Sequence, residues 1–598
     1  MTTCKRKYDD RNDDKVTLVA TKNNTIIDTN GNINDNKKTA TTSITEGSTV
    51  MTFDADQESA VFYNPVQVQN RDLSVLMISL YAERRAIRHA VQRKRKELKK
   101  QNQDKEITKE ELQNRLKIYE ESLNDGRQLV HQNTSNSNSD GCDDKNGITI
   151  LDALAASGLR SIRYWKEIPG VKHVTINDLE EAAVERAKNN LQNNQLETII
   201  LNDNTERKHG IYINHGDATH TMYMSRRPQS LLYSPKTALQ MKQQQPMWDV
   251  IDLDPYGSAA PFLDGAVQAV ENGGLLCITC TDMAALGGSH PETAYGRYAS
   301  LPIQSANYLQ ELALRILLYS IAISAAKYGR TIRPILSVGM NFYVRVFVEV
   351  HNDKRGVSDL SLMMGNVYQS TQCSSFVTIP HGQKGGKNGN GYQSSRLDLS
   401  VYPESGEPFK IGGPLWLGPL HDQNVVSVAL QRLGNEKCQS PNMNLIATRS
   451  RLEGLLTSVS EELDTPLYYT LPGLCHALRC TSPPLKLFKA AFVNAGYKVS
   501  GYHKEPNAIK TNAPGYVVWD IMRAWVEKNP LKKKPAEDST ASKILAMKRT
   551  ITDVDFSIPK STKKSTKKIS RFPVNPQKHW GPKRAATGIV ARPNDKLP

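Results

Sequence analysis

Long uninterrupted apolar runs are scarce in the 598 residues. The most apolar segment, 312–326, carries Arg315 and falls short of the roughly 20 residues a spanning helix needs. It reads as a buried helix with Glu311 and Arg315 one turn apart, so no membrane span is expected. The first residues are polar and include Asp9, Asp10, Asp13 and Asp14, so no secretory signal is expected, and these acids argue against a clean mitochondrial presequence. Cysteine is scarce: eight residues, at 4, 142, 277, 280, 373, 438, 475 and 480, form no disulfide framework, and a reducing compartment fits. Cys277 and Cys280 have half a zinc-site spacing, but they lie in an apolar strand with no second such pair, so core thiols are expected.

Acidic residues are also in short supply. Lys and Arg number 77 against 61 Asp and Glu, a net charge of +16, and this points to a polyanionic partner. The excess is uneven, because residues 530–598 hold seventeen basic and five acidic residues. Hydrophobic content of 38% and mean hydropathy of −0.51 are low for a wholly globular chain, so unstructured segments are expected. Residues 1–45, rich in Asn, Thr, Lys and Asp, are one of them. The basic tail 531–598 is another, and 132–147 and 219–247 read as a low-complexity and a polar insertion. A helical pattern over 72–100 becomes strongly basic from Arg84 through Arg93-Lys94-Arg95-Lys96 to Lys99-Lys100. A solvated face, nuclear import and phosphate contact all fit that run.

What is present is a series of short apolar strands, each ending in a polar residue. Ile148-Thr149-Ile150-Leu151-Asp152 enters a small-residue turn, Ala155-Ala156-Ser157-Gly158, and then a helix. A strand, a Gly turn and a helix start let the backbone approach a nucleotide closely. The strand 171–177 delivers Asp178, twenty residues after Gly158, where an acid can take both ribose hydroxyls. The strand 211–215 delivers Asp217 and Ala218, within reach of an adenine amino group. Finally Asp249-Val250-Ile251-Asp252-Leu253 delivers Asp254-Pro255-Tyr256-Gly257. Pro255 ends the ladder, since it has no N–H to donate. Asp254 can accept from an amino group and a ring N–H of a base, and Tyr256 can stack on that base. Loop aspartates are common, but four such strand ends in order indicate an α/β sheet with ligands at its carboxyl edge. Gly-x-Gly-x-x-Gly is absent and no basic cluster sits where a pyrophosphate would lie. S-adenosylmethionine therefore fits better than a dinucleotide, with an NAD enzyme as the runner-up.

Taken together, these residues resemble the tRNA guanine-26 N2-dimethyltransferase family. The matching pieces are Val61-Phe62-Tyr63-Asn64-Pro65-Val66-Gln67, Asn70-Arg71-Asp72-Leu73-Ser74, Ala156 through Tyr164, Asn177-Asp178, Asp217-Ala218 and Asp252 through Ser258. Asp282-Met283-Ala284, Phe342 through Val346, Gly412-Gly413-Pro414-Leu415-Trp416-Leu417-Gly418-Pro419-Leu420, His503 with Pro506, and Ile509 through Pro514 continue the series. The resemblance covers about residues 45–585. It implies a Rossmann-like class I methyltransferase domain (46–350), a smaller α+β C-terminal tRNA-binding domain (351–530), S-adenosylmethionine as methyl donor and tRNA as partner. It assigns cofactor contacts to Arg71, Arg160, Asp178, Asp217 and Ala218, with Arg160 and Arg163 competing for one role, and the turn read above adds Ser157 and Gly158. From the chemistry of their loop, Asp254, Pro255 and Tyr256 are expected to be the catalytic set, with Asp254 holding the base, Tyr256 walling it and Pro255 shaping the loop. Relatives often carry paired cysteines before the Gly-Gly-Pro-Leu-Trp motif; here only Cys373 remains, so no metal is expected. Residues 467–497 read as helix, turn, helix, strand, a winged-helix-like pattern. Phe572 and Trp580 lie among tail cations, where they can stack on unpaired bases. The basic clusters suggest a nuclear location, with a mitochondrial share. The alternative is a non-enzymatic tRNA-binding or chaperone protein on a methyltransferase-like core; an adenine or cytosine amino-methyltransferase would use a similar Asp-Pro-aromatic loop.

Overall fold

A computed structural model describes residues 17–20, 41–54, 63–101, 108–123, 126–135, 147–203, 206–226, 246–340, 342–385, 391–398, 400–434, 443–559 and 569–573. Most of both insertions (136–146 and 227–245), Val61, Phe62, Trp580 and half of the tail (560–568 and 574–598) lie outside these residues. The described chain divides into two compact units. One comprises residues up to Gly216 with Arg432–Glu453; the other comprises Asp217–Gln431 with Gly454–Val574. This partition cuts across the sequence-based boundary at 350.

In the first unit β1 (Thr17–Ala20), β2 (Thr41–Glu46) and β3 (Thr49–Asp54) form an antiparallel sheet, so the stretch 1–45 contributes strands despite its polar composition. The long helix α1 (Val68–Gln101) is followed by α2 (Lys109–Ser122) and α3 (Gly126–Ser135). Then the α/β pattern begins: β4 (Ile148–Asp152), α4 (Leu159–Glu167), β5 (Val171–Asp178), α5 (Glu181–Asn193), β6 (Ile200–Leu201) and β7 (Gly210–His215). The strands run in parallel in the order β4-β5-β7-β6. Parallel strands need covered faces, and Ile150, Leu151 and Val174 are fully buried.

The second unit opens with α6 (Ala218–Met224) and holds β8 (Trp248–Leu253), β9 (Val270–Cys280), β10 (Arg330–Gly339) and β11 (Val344–Asn352) in the order β8-β9-β11-β10. Only β8 and β9 are parallel here; β11 runs antiparallel to both of its neighbours. Cys277 and Cys280 are buried free thiols on β9, as their apolar setting implies. The apolar helix is Leu309–Ala326, the one described helix long and apolar enough to cross a membrane. It is a core helix packed on β10, with Glu311 and Arg315 both buried and paired at 2.8 Å. Glu311 also accepts from Lys510 Nζ at 2.9 Å and from Leu467 N–H.

Beyond β11, the strands β12 (Met364–Ser370), β13 (Phe376–Pro380) and β16 (Phe409–Trp416) form one sheet, and β14 (Gly382–Gly385) and β15 (Gly391–Ser394) form a hairpin. The Gly-Gly-Pro-Leu-Trp motif is a packing device. A Cβ on Gly412 would lie 2.6 Å from Ile303, and Gly413 exchanges two backbone hydrogen bonds with Leu301. Helices Leu471–Leu478 and Leu485–Asn494 precede a hairpin of β18 (Val499–Tyr502) and β19 (Glu505–Thr511), with β17 (Tyr469–Thr470) alongside, which matches the winged-helix-like reading. The tail differs from expectation at its start. Thr540–Ala546 is helical, and Ile544, Val554 and Phe556 are buried in the same core as Trp519, because these apolar side chains interrupt the basic composition.

Candidate active site

The sequence placed its candidates at strand ends, and the local geometry there is highly constrained. After β4 the chain turns through Ala156, at φ 50°, and Gly158, at φ 74°. Both lie in the left-handed region that favours glycine. Gly158 also sits where a Cβ would come within 3.2 Å of Ala187 on α5, so it allows α4 and α5 to approach. It caps α4 with no side-chain hydrogen bond, so the donors of the helix's first turn are not covered by a capping side chain.

Asp178 ends β5 as a half-buried carboxylate held from two sides. Its Oδ2 accepts from Ala156 N–H at 2.8 Å and its Oδ1 from Glu180 N–H at 3.0 Å. Beside it Leu179 is 66% exposed, an apolar surface next to a fixed acid. Asn177 is fully buried and does the joining. Its Nδ2 donates to Ala153 O and Gly216 O, and its Oδ1 accepts from Asn214 at 2.6 Å, which binds the ends of β4, β5 and β7 together. Asp178 is in register with His215, and Asp217 follows two residues later. Asp217 is exposed and uses one oxygen to cap α6, accepting from His220 N–H at 2.7 Å, while Ala218 is buried.

The competing arginines separate clearly. Arg163 is fully buried, and it pairs with Glu46 and Asp72 at 2.8 Å and with Glu167 at 2.9 Å. Arg160 instead reaches Ser74 Oγ at 3.3 Å. Arg71, in the first turn of α1, forms a two-pronged contact with Glu46, whose second partner set includes the Tyr63 hydroxyl. Burial works against the Glu46 charge, but Arg71 and Arg163 override it and hold the carboxyl down to about 2. Glu46 has no local signal in the sequence, since it lies 117 positions from Arg163.

In the second unit the two aspartates of Asp252-Leu253-Asp254 have different roles. Asp252 is fully buried and takes Arg345 at 2.8 Å, while Arg345 also donates to Thr279. Asp254 lies beyond the strand and is half-buried; Pro255 is buried and Tyr256 is 69% exposed. The loop is clamped from below. Gly257, at φ 85°, donates to Thr281 Oγ1 at 2.8 Å and accepts from Thr281 N–H at 2.9 Å. Ser258 meets the Tyr298 hydroxyl at 2.6 Å, and Asp282 accepts from Arg297 at 2.6 Å. Burial pushes the Cys280 thiol beneath this loop up to about 11, so it stays protonated and inert.

His421, Glu462 and His503 form the one described cluster with metal-ligand spacing, their ligand atoms all within 4.8 Å and all buried. Hydrogen bonding identifies its state. Gly339 N–H donates to His503 Nε2 at 2.8 Å and Ser337 N–H donates to His421 Nδ1 at 3.3 Å. Each ring therefore carries its proton on the nitrogen facing Glu462, and a metal there would require imidazolates. The two neutral rings flank an ionised Glu462 and clamp the end of β10. Burial lowers the affinity of His421 for a second proton, against the attraction of Glu462. Because its folded value lies below the ordinary one near 6.5, the stability it contributes is present above that value and is lost as pH falls below it. Chemical denaturation at pH 7.5 and 5.5 should show this acid-side loss, and His421→Asn, which keeps an acceptor toward Ser337, should reduce it.

Parallel strands with intervening helices, a glycine turn without a phosphate-binding fingerprint and polar strand ends make up a class I methyltransferase fold. The comparisons with known proteins agree. The profile of the N2,N2-dimethylguanosine tRNA methyltransferase family matches residues 37–523, and the chain belongs to that family. It is 38% identical to the tRNA (guanine(26)-N(2))-dimethyltransferase of Schizosaccharomyces pombe over 91% of this chain and 92% of that one. The human enzyme of the same name is 36% identical over 91% of this chain and 78% of its own. Among solved structures, Trm1 from Pyrococcus horikoshii in complex with S-adenosyl-L-methionine shares the fold, with a TM-score of 0.54 and 24% identity over 80% of this chain and 99% of that one.

Proposed function

We propose that this protein transfers methyl groups from S-adenosylmethionine to the N2 amino group of guanosine 26 in tRNA, giving N2-methyl- and N2,N2-dimethylguanosine. The observation that carries this reading is a family match spanning residues 37–523 that includes every strand-end residue of the site. The fit to the cofactor rests on the chain's own groups. Asp178 is a fixed carboxylate suited to a ribose diol, exposed Leu179 offers an apolar wall for an adenine, and the Ala156–Ser157–Gly158 turn presents backbone. Asp217, Ala218, Arg71 and Arg160 complete the assigned set. When bound, the cofactor supplies an electrophilic methyl group on a sulfonium.

The rest is positioning and electrostatics. The guanine amino nitrogen is a poor nucleophile because its lone pair is delocalised into the ring. Asp254 accepts hydrogen bonds from this amino group and from N1–H, which fixes the nitrogen in line and stabilises the positive charge that grows on it. Tyr256 walls the extruded base, and Pro255 with the Gly257–Thr281 clamp keeps Asp254 at the strand end. The clusters Lys532-Lys533-Lys534 and Arg93-Lys94-Arg95-Lys96 support a nuclear location with a mitochondrial share.

The test is nucleoside mass spectrometry of unmodified tRNA transcript after incubation with the protein and S-adenosylmethionine. N2,N2-dimethylguanosine that disappears when guanosine 26 is replaced is the expected result. A methylated adenosine or cytidine would keep the fold and overturn the substrate. Bound but unmethylated tRNA would favour the non-enzymatic reading.

A further inference from the structure

The distal half of α1 has a one-sided charge distribution that the methyl-transfer site does not use. At 100° per residue, Arg93, Arg95, Lys96, Lys99 and Lys100 fall on one arc of roughly 160°, together with Gln92 and no acid. All six are exposed. The two acids of this region, Glu83 and Glu97, project outside that arc, where Glu83 pairs with Arg432 at 2.5 Å and Glu97 with Lys94 at 3.3 Å. Lys94 also lies over the Tyr119 ring of α2 at 5.8 Å, so α2 packs on the side away from the stripe.

The neighbouring helix provides the contrast. On α2, Arg115 pairs with Glu111 at 2.7 Å and Lys117 with Glu121 at 4.0 Å, each one turn apart, as expected of a merely solvated helix. On α1 the favourable placement of cations near a helix C-terminus accounts for Lys99 and Lys100 in the last turn. It does not account for Arg93, Arg95 and Lys96, which lie further back. Five like charges on one arc repel one another, and a polyanion laid along them relieves that repulsion.

We infer that this stripe is a docking surface for the phosphate backbone of the tRNA substrate, an inference that rests on the function proposed above. Rigid cations about 10 Å apart from first to last along a helix suit a double-helical stem. Its phosphates are met without reading sequence, and contact there sets the register of the RNA rather than its identity.

The test uses the full chain carrying Arg95→Gln, Lys96→Gln and Lys99→Gln together, with Arg115→Gln and Lys117→Gln on α2 as the control. Affinity for unmodified tRNA transcript is measured across a potassium chloride series, with S-adenosylmethionine binding as the fold readout. The stripe variant should bind tRNA on the order of ten-fold more weakly at low salt. Its plot of log affinity against log salt should be shallower by about 2 to 3, one for each phosphate no longer neutralised. Cofactor binding and the α2 control should match the wild type. Unchanged tRNA affinity and salt slope in the stripe variant would overturn the inference, and loss of nuclear accumulation alone would reassign the stripe to an import receptor. Wild-type protein that binds tRNA through the stripe without methylating it would instead overturn the proposed reaction.

Discussion

Asp254→Ala should lower methyl transfer on the order of 10²–10³-fold, the usual cost of removing one preorganised group that stabilises transition-state charge. Folding and cofactor binding should survive, because Asp254 is half-buried beyond the strand and the loop is clamped independently at Gly257 and Thr281. Single-turnover methylation of tRNA, alongside calorimetric S-adenosylmethionine binding and a melting curve, checks all three. The comparison variant is Asp252→Ala. There the partner Arg345 is fully buried, so its removal leaves an uncompensated charge and should cost about 3–5 kcal/mol of stability. Turnover near normal in Asp254→Ala would withdraw the residue from catalysis. A collapse of both variants would make it structural.

The difference between these two aspartates shows where the sequence stops being informative. Both stand in one short motif, and the apolar run before them fixes the strand and its loop. Which carboxylate is buried depends on Arg345, which arrives 93 positions later on an antiparallel strand. The parallel strands were legible because buried strands are apolar throughout and end in Gly, Pro or Asp. The joining role of Asn177 was not, since it depends on three strand ends meeting. His421, Glu462 and His503 stayed hidden for the same reason, coming from three separate segments. The strands of the N-terminal stretch were missed because Thr-rich polar alternation carries little hydrophobic signal, although Thr suits a strand.

Arg163→Met should destabilise the first unit rather than weaken cofactor binding. One guanidinium here answers Glu46, Asp72 and Glu167, all four side chains fully buried. Burial disfavours the Arg163 charge, and the three carboxylates keep it cationic nonetheless. Methionine fills much of the volume but leaves acids in a dry interior, at a cost of about 3–5 kcal/mol, read as a lower denaturation midpoint. Asp72 also holds Thr448 through its N–H and hydroxyl, so the loss spreads to the 432–453 segment. The acid limb should change as well. Glu46 stabilises the wild type fully above its unfolded value near 4.5 and loses that contribution as pH falls toward about 2. Without Arg163 its folded value rises, and the loss begins at higher pH. Arg160→Ala should do the reverse, with a near-normal midpoint and weakened S-adenosylmethionine binding. If Arg163→Met keeps its stability and loses only the cofactor, the two arginines exchange roles.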